Sequence, residues 1–289
     1  MKVIEPKVEI WEQPKGIEDI YKQIERAGRV CYKSEDHITE DSAEPFVERM
    51  IASKHYAMLE HGTVYLSVPD TQANEDLIQE LLYNKFTHLR VLKDVRRINF
   101  STNLRVLIEK GIWDICKPYV CDFGKGFLSD DRRVTVHFST QIAVSREANR
   151  HRADSIAEQS TRFCNYSKDK FGGEIAINKP SWIEDKYCIA NPLGCNPMTM
   201  MNPVDVWWSA NEYAEACYMR LLQLGWKPEQ ARVVLPLDTN TELVHTAFVS
   251  DWMHFFDLRA LNKTGKAHPD MVAVAKPLYE EFKRRGYIK

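Results

Sequence analysis

Helical and strand-like stretches alternate along this chain without a βαβα rhythm, and no GxGxxG follows a strand. That order excludes a doubly wound parallel sheet. It points to an α+β fold, a central and mainly antiparallel sheet flanked by helices. Ile17, Ile20, Tyr21, Ile24 and Ala27 recur at helical spacing, as do Phe46, Val47, Met50 and Ile51, with Asp41 or Ser42 placed to cap the second helix. TVYLSV at 63–68 alternates like a half-buried strand and stops at Pro69-Asp70. Residues 73–85 read as a helix, 86–100 as strand material around a polar bend, and 101–111 as a short capped helix. A Gly-, Asp- and Pro-rich loop at 117–131 precedes an alternating RRVTVHF, and 139–152 reads as a helix starting at Ser139 or Thr140. A turn-rich loop follows from 166, then helices at 203–226 and 227–236, a strand at 241–248, and helices at 251–261 and 269–286.

At 289 residues the chain suits one domain that carries an insertion. The formal net charge is −2, so no global field favours nucleic acid or an anionic membrane, and an anion site must be a local cluster. Seven cysteines at irregular spacing give neither a disulfide framework nor a CxxC zinc pair, so reduced thiols and no metal are expected. The first residues, MKVIEPKVEIWEQPKG, carry charges throughout, unlike a signal peptide, and no run of 18 apolar residues occurs. A cytoplasmic protein is the expectation.

The densest polar cluster is Arg146, Glu147, Arg150, His151, Arg152, Asp154, Ser155, Glu158, Gln159, Ser160 and Arg162. Guanidinium groups suit a phosphate or pyrophosphate because their planar fork donates two parallel hydrogen bonds. Glu158 can accept from a ribose hydroxyl or hold an arginine, and Ser160 adds a neutral donor. A solvated, charged helix end is the plainer reading of the same residues.

Arg150-His151-Arg152, seven residues and then Ser160 form an RHR-x7-S pattern with Glu158-Gln159-Ser160 embedded and Arg162 beyond. This resembles the signature of flavin-dependent thymidylate synthases. Upstream, His55 through His61 is similar to the family's His-x4-Glu-His segment; downstream, Ala231-Arg232-Val233-Val234-Leu235-Pro236 resembles its A-R-x-x-L-P segment. Arg259 follows 27 residues after Arg232, in MHFFDLRA. The resemblance covers about 40–64 and 132–285, and leaves about 70–131 as the insertion.

The resemblance implies reductive methylation of dUMP at C5, with FAD as cofactor, methylenetetrahydrofolate as carbon donor and NADPH as reductant. It implies a homotetramer whose sites lie between subunits. Arg150, His151 and Arg152 would contact FAD, Arg150 also dUMP. Glu158, Gln159, Ser160, Thr161 and Arg162 would bind dUMP, Glu158 also touching FAD, and Arg232 would bind dUMP. Arg259 would sit at the uracil as the catalytic group, favouring its N3-deprotonated form. His55, Glu60, His254 and His268 would lie near the flavin. No protein nucleophile is implied. The cysteine that the flavin-independent enzyme adds at C6 has only a loose counterpart in Cys195, which lacks a Pro-Cys-His setting.

Several positions depart from the family pattern. Glu147 and Asn149 replace a Gln and an aromatic residue, and a carboxylate at 147 alters dUMP contacts unless an arginine pairs with it. Phe163 replaces Tyr, Ala57 replaces Thr, and His254 replaces Asn. These changes leave open a relative acting on another pyrimidine nucleotide, such as UMP. A metal-dependent hydrolase using His55, Glu60 and His61 lacks a zincin spacing. An RNA-binding module lacks an aromatic platform among its interleaved charges.

Overall fold

The computed structural model describes residues 1–184, 200 and 202–289. Cys188 and Cys195 lie outside the described residues. In chain order the elements begin β1 (Lys2–Ile4), β2 (Lys7–Trp11), α1 (Ile17–Val30), α2 (Ala43–Ala52), β3 (Thr63–Pro69), α3 (Glu75–Leu82), β4 (His88–Leu92), β5 (Arg97–Asn103), α4 (Leu104–Glu109) and α5 (Trp113–Cys116). There follow β6 (Val120–Cys121), β7 (Arg133–Gln141), α6 (Ile142–Ala148), β8 (Ser155–Glu158), β9 (Ala176–Asn178), α7 (Pro203–Gln223), α8 (Pro228–Ala231), β10 (Asn240–Phe248), α9 (Val249–Arg259) and α10 (Pro269–Arg284).

The fold is α+β with mainly antiparallel pairing, but the strands divide between two four-stranded sheets instead of one. One has the order β2-β7-β10-β8, the other β4-β5-β3-β6, and β1 pairs with β9 in parallel. Three of the four strands in the second sheet come from the 70–131 segment. That segment does not stand apart: Leu81, Phe100, Leu104 and Leu107 share one apolar core with Ile20 and Ile24 of α1 and Val47 of α2. Gly62 joins the two layers tightly, since an added Cβ would lie 2.5 Å from Ile24 Cδ1.

Alternation sorts the first sheet into two faces. Val134, Val136 and Phe138 of β7 pack with Trp252, Phe255 and Phe256 of α9 and Phe282 of α10. Trp252 is fully buried and donates from Nε1 to the Val134 carbonyl (3.0 Å). Its truncation to alanine costs about 3–5 kcal/mol. The opposite face carries Arg133, Thr135 and His137.

Three local readings are corrected. β7 continues to Gln141 because every residue from Arg133 finds a partner on β10, so the helix starts at Ile142 and not at Ser139 or Thr140. The helix ends at Ala148, and Arg150 to Arg152 lie in a turn beyond it. Ser42 takes the cap position of α2, but its hydroxyl donates to Glu25 Oε2 (2.7 Å) and leaves the helix N–H groups alone.

Candidate active site

A strand inside the motif organises the site. Ser155–Glu158 pairs antiparallel with β10, Leu243 facing Glu158 and His245 facing Ile156. This pairing carries Glu158 to the end of β8, where the chain turns and Ser160 N donates to the Cys31 carbonyl (2.9 Å). A cavity of about 620 Å³ opens there, lined by Arg146, Glu158 to Thr161, Arg232 and the apolar wall of Leu235, Pro236 and Leu237. Its volume lies in the range of about 300–1,000 Å³ typical of small-molecule sites. Arg232 Nη1 donates to Thr161 Oγ1 (3.0 Å), which joins the A-R-x-x-L-P segment to the end of the RHR-x7-S segment. Arg162 instead reaches Glu229 (3.8 Å).

Both oxygens of Glu158 are engaged. Oε2 accepts from Asn149 Nδ2 (2.8 Å) and Oε1 from Thr241 Oγ1 (3.3 Å). Asn149 Oδ1 in turn faces His245 Nε2 (3.3 Å), whose Nδ1 lies 2.9 Å from Asp154 Oδ2. Both ring nitrogens of this fully buried histidine thus face side-chain oxygens.

A second, smaller cavity of about 300 Å³ is lined by Arg150, His151, Arg152, Asp154, His254 and Arg259. Arg259, in the last turn of α9, is clamped. Its Nε donates to His151 Nε2 (3.1 Å), its Nη1 pairs with Glu147 Oε1, and its Nη2 donates to the Glu147 carbonyl (3.3 Å). Glu147 therefore has an arginine partner. His151 is buried, and burial, with Arg259 and neighbouring histidines adding to it against Asp154, pushes its pKa down to about 4. The neutral ring can then accept from Arg259, with Phe255 edge-on at 4.9 Å and His254 at 5.8 Å.

By contrast, Arg146, Arg150 and Arg152 are exposed on the single chain, and their side chains have no hydrogen-bonding or acidic partner among the described residues. The remaining candidates lie elsewhere. Glu60 pairs with Arg105 of α4 (2.6 Å), and His55 precedes the turn that holds it. His268 caps α10, its Nδ1 accepting from Asp270 N (3.3 Å), with the Trp182 ring 5.7 Å away. His61 is fully buried against Thr246 (2.9 Å), and His55, Glu60 and His61 form no metal-ligating cluster among the described residues.

Sequence reasoning missed Thr241 and His245. The available signal is a polar residue on an apolar strand face: Thr241, Leu243, His245 and Ala247 of β10 share one side, where a core face predicts hydrophobes throughout.

The family described as Thymidylate synthase complementing protein matches residues 131–285. The chain belongs to this family. The matched stretch holds every lining residue of both cavities and stops short of the second sheet and of His55 and Glu60. Among similar proteins, a probable flavin-dependent thymidylate synthase of Paramecium bursaria Chlorella virus 1 is 26% identical over 155 residues, 52% of this chain and 67% of that one. The flavin-dependent thymidylate synthase of Thermosipho melanesiensis is 32% identical over 127 residues, 44% of this chain and 53% of that one. That of Synechocystis is 25% identical over 186 residues, 63% of this chain and 75% of that one. This chain thus spans roughly half to three quarters of these relatives. Among solved structures, a UMP/dUMP methylase PolB from Streptomyces cacaoi bound with 5-Br dUMP is 18% identical, covering 98% of this chain and 93% of that one with a TM-score of 0.45.

Proposed function

We propose that this chain is a flavin-dependent thymidylate synthase. It methylates dUMP at C5, takes the carbon from methylenetetrahydrofolate and uses FAD reduced by NADPH. Family membership supports the reading, and one observation carries it: the 620 Å³ cavity gathers Glu158 to Thr161 and Arg232, from two distant motifs, beside arginines with free donors.

The donor set fits the cofactor. Arg150 and Arg152 offer two uncompensated guanidinium groups from one turn, as a pyrophosphate requires. Between them His151 presents a buried neutral ring. When bound, reduced FAD supplies the hydride. The chain's own residues do the rest. Arg232, Ser160, Thr161 and Arg162 grip the dUMP phosphate and sugar, and Gln159 adds an amide. Glu158, with its carboxylate fixed by Asn149 and Thr241, orients the ribose hydroxyl without swinging. Arg259 stabilises the negative charge that develops on the pyrimidine, which raises electron density at C5 without a thiolate. Its pairing with Glu147 means that the uracil must share or displace that carboxylate. His254 lines the smaller cavity and would meet the flavin there, whereas His55, Glu60 and His268, which lie elsewhere on the single chain, would reach it from a neighbouring subunit.

Exposed, unpaired arginines on one chain fit a homotetramer in which a neighbouring subunit completes each site. We place the enzyme in the cytoplasm; among the described residues no helix is long and apolar enough to cross a membrane. The chain is one domain, with 70–131 inserted and packed into its core.

A titration tests the reading. Purified protein given FAD turns yellow, NADPH bleaches the flavin band, and dUMP plus methylenetetrahydrofolate restores it with dTMP formed in equal amount. A parallel arm with UMP separates the two pyrimidine substrates. Failure to bind FAD, or bleaching without dTMP, contradicts the proposal.

A further inference from the structure

A third cavity, of about 250 Å³, lies on the face of the β2-β7-β10-β8 sheet opposite Glu158. Thr135 lines it and bonds through Thr246 (2.8 Å) toward His61, whereas Glu158 sits across from Leu243 on the α9 face. Its walls come from the loop after β2, from β3, from the chain around β6, and from Tyr287. The inserted segment therefore builds one side of it.

Its charges are unequally engaged. Arg132 is held between two rings, its guanidinium carbon 4.2 Å from the centroid of Phe123 and 4.7 Å from that of Tyr287. No carboxylate or hydrogen-bond acceptor engages that guanidinium among the described residues. The acids that line the cavity are already committed: Glu12 to Arg285 and to the Tyr287 hydroxyl (2.5 Å), Asp122 to Lys15 (3.4 Å). Arg133 beneath is buried and, among the described residues, hydrogen-bonds only neutral groups, among them the Glu60 carbonyl (3.1 Å) and Ser155 Oγ (3.2 Å). Arg132 and Arg133 thus line the cavity with no carboxylate bonded to either guanidinium among the described residues, beside the rings of Trp11, Tyr65, Phe123 and Tyr287. Such a site gains free energy from an anion that supplies the missing charge.

The walls are fixed in advance. Gln13 bonds the Thr63 backbone reciprocally, donating to its carbonyl (2.8 Å) and accepting from its N–H (2.9 Å). The Tyr65 hydroxyl accepts from Arg133 N (3.0 Å). A site that needs no rearrangement loses little free energy in ordering its ligand.

We propose that this cavity binds a small aromatic carboxylate, its carboxylate in bidentate contact with Arg132 and its ring against Trp11, Tyr65 and Val120. The volume admits one ring and its acid group, and is too small for a dinucleotide. This site is independent of the thymidylate synthase reading, since neither its residues nor its test involves the other two cavities.

Fluorine NMR of 4-fluorobenzoate with the full chain tests it. Saturable line broadening with a Kd below about 1 mM is expected. Arg132→Gln weakens binding at least about tenfold, the worth of a charge-assisted pair, Arg132→Lys weakens it less, and Arg220→Gln on α7, which lines none of the three cavities, leaves it unchanged. On the unaltered protein, benzoate slows N-ethylmaleimide labelling of Cys121, which lines the cavity, and leaves Cys31 unaffected. That measurement decides the matter if the Arg132 variants do not fold. Broadening that never saturates, binding retained in Arg132→Gln, unchanged labelling of Cys121, or displacement by inorganic phosphate at equal concentration would each overturn the proposal.

Discussion

The two cavities flanking the turn between α6 and β8 are lined by the same kinds of residue and differ in how many are already engaged. Among the described residues, Arg146 has no side-chain partner around the larger one and Arg232 touches only a threonine hydroxyl, while Arg150 and Arg152 stand free at the edge of the smaller one. Inside the smaller one, Arg259 spends three nitrogens on Glu147 and His151. The free arginines are set to receive an anion at no cost to the fold. The clamped one is positioned by the fold and must yield something to a ligand. Binding strength and chemical step are therefore expected to separate by mutation.

The clamp carries the largest expected effect. Arg259→Gln lowers kcat for dTMP formation about 100- to 1,000-fold, the worth of one charge-stabilising donor in a transition state, while FAD still binds, as absorbance titration will show. Equal losses in FAD affinity and kcat would erase the distinction between the free and the clamped arginines.

Acid comes next. The pKa of His151 is pushed down to about 4 and that of His61 to about 3, in each case by burial first, with Arg259 and Arg133 respectively among the charges that add to it. Both lie below the ordinary value of 6.5, so the unfolded chain binds these protons more readily than the folded one. The stability they confer is full above pH 6.5 and falls as pH drops toward 4, by about 1.4 kcal/mol per pH unit for each histidine. Urea melts across that window measure the slope. His151→Gln reduces it by one proton, and an unchanged slope would show that the ring is protonated in the clamp.

The free arginines follow. Arg150→Gln and Arg152→Gln each weaken FAD binding about tenfold, the loss of one charge-assisted contact, with no change in melting temperature. A fall in melting temperature would mean that these side chains serve the fold. Smallest is Glu147→Gln. Removing the carboxylate frees Arg259 and tightens dUMP several-fold by calorimetry, while stability drops by about 1 kcal/mol, as for a partly exposed pair. Weaker dUMP binding would instead make Glu147 a direct ligand of the nucleotide.

How much of this the sequence discloses depends on how local each feature is. RHR-x7-S is legible because its chemistry lies within a dozen residues, α7 because its helix-forming stretch is long and starts at Pro203, and β3 because it alternates; β10 reads as a strand although Thr241 and His245 interrupt its apolar face. The motif's own strand is not. SIAE is four residues set among charges, too short for alternation to register, and it forms because β10 offers it an edge. The helix expected from Ser139 fails for a related reason, since β10 pairing extends β7 past the point where propensity alone would start a helix. The Glu147–Arg259 clamp joins residues 112 apart. The sequence states that pairing only as a condition, and tertiary packing fulfils it. The second sheet was hidden because 70–131 reads as an insertion, whereas β3 supplies the strand around which it assembles.

A single-turnover reaction tests the central claim most directly. Protein loaded with FAD and reduced anaerobically is mixed with dUMP and methylenetetrahydrofolate, and product is followed by chromatography beside the flavin spectrum. The account predicts one dTMP per flavin reoxidised, lost in Arg259→Gln although the flavin remains bound. Reoxidation with no methylated nucleotide, or dTMP formed without flavin, would contradict it.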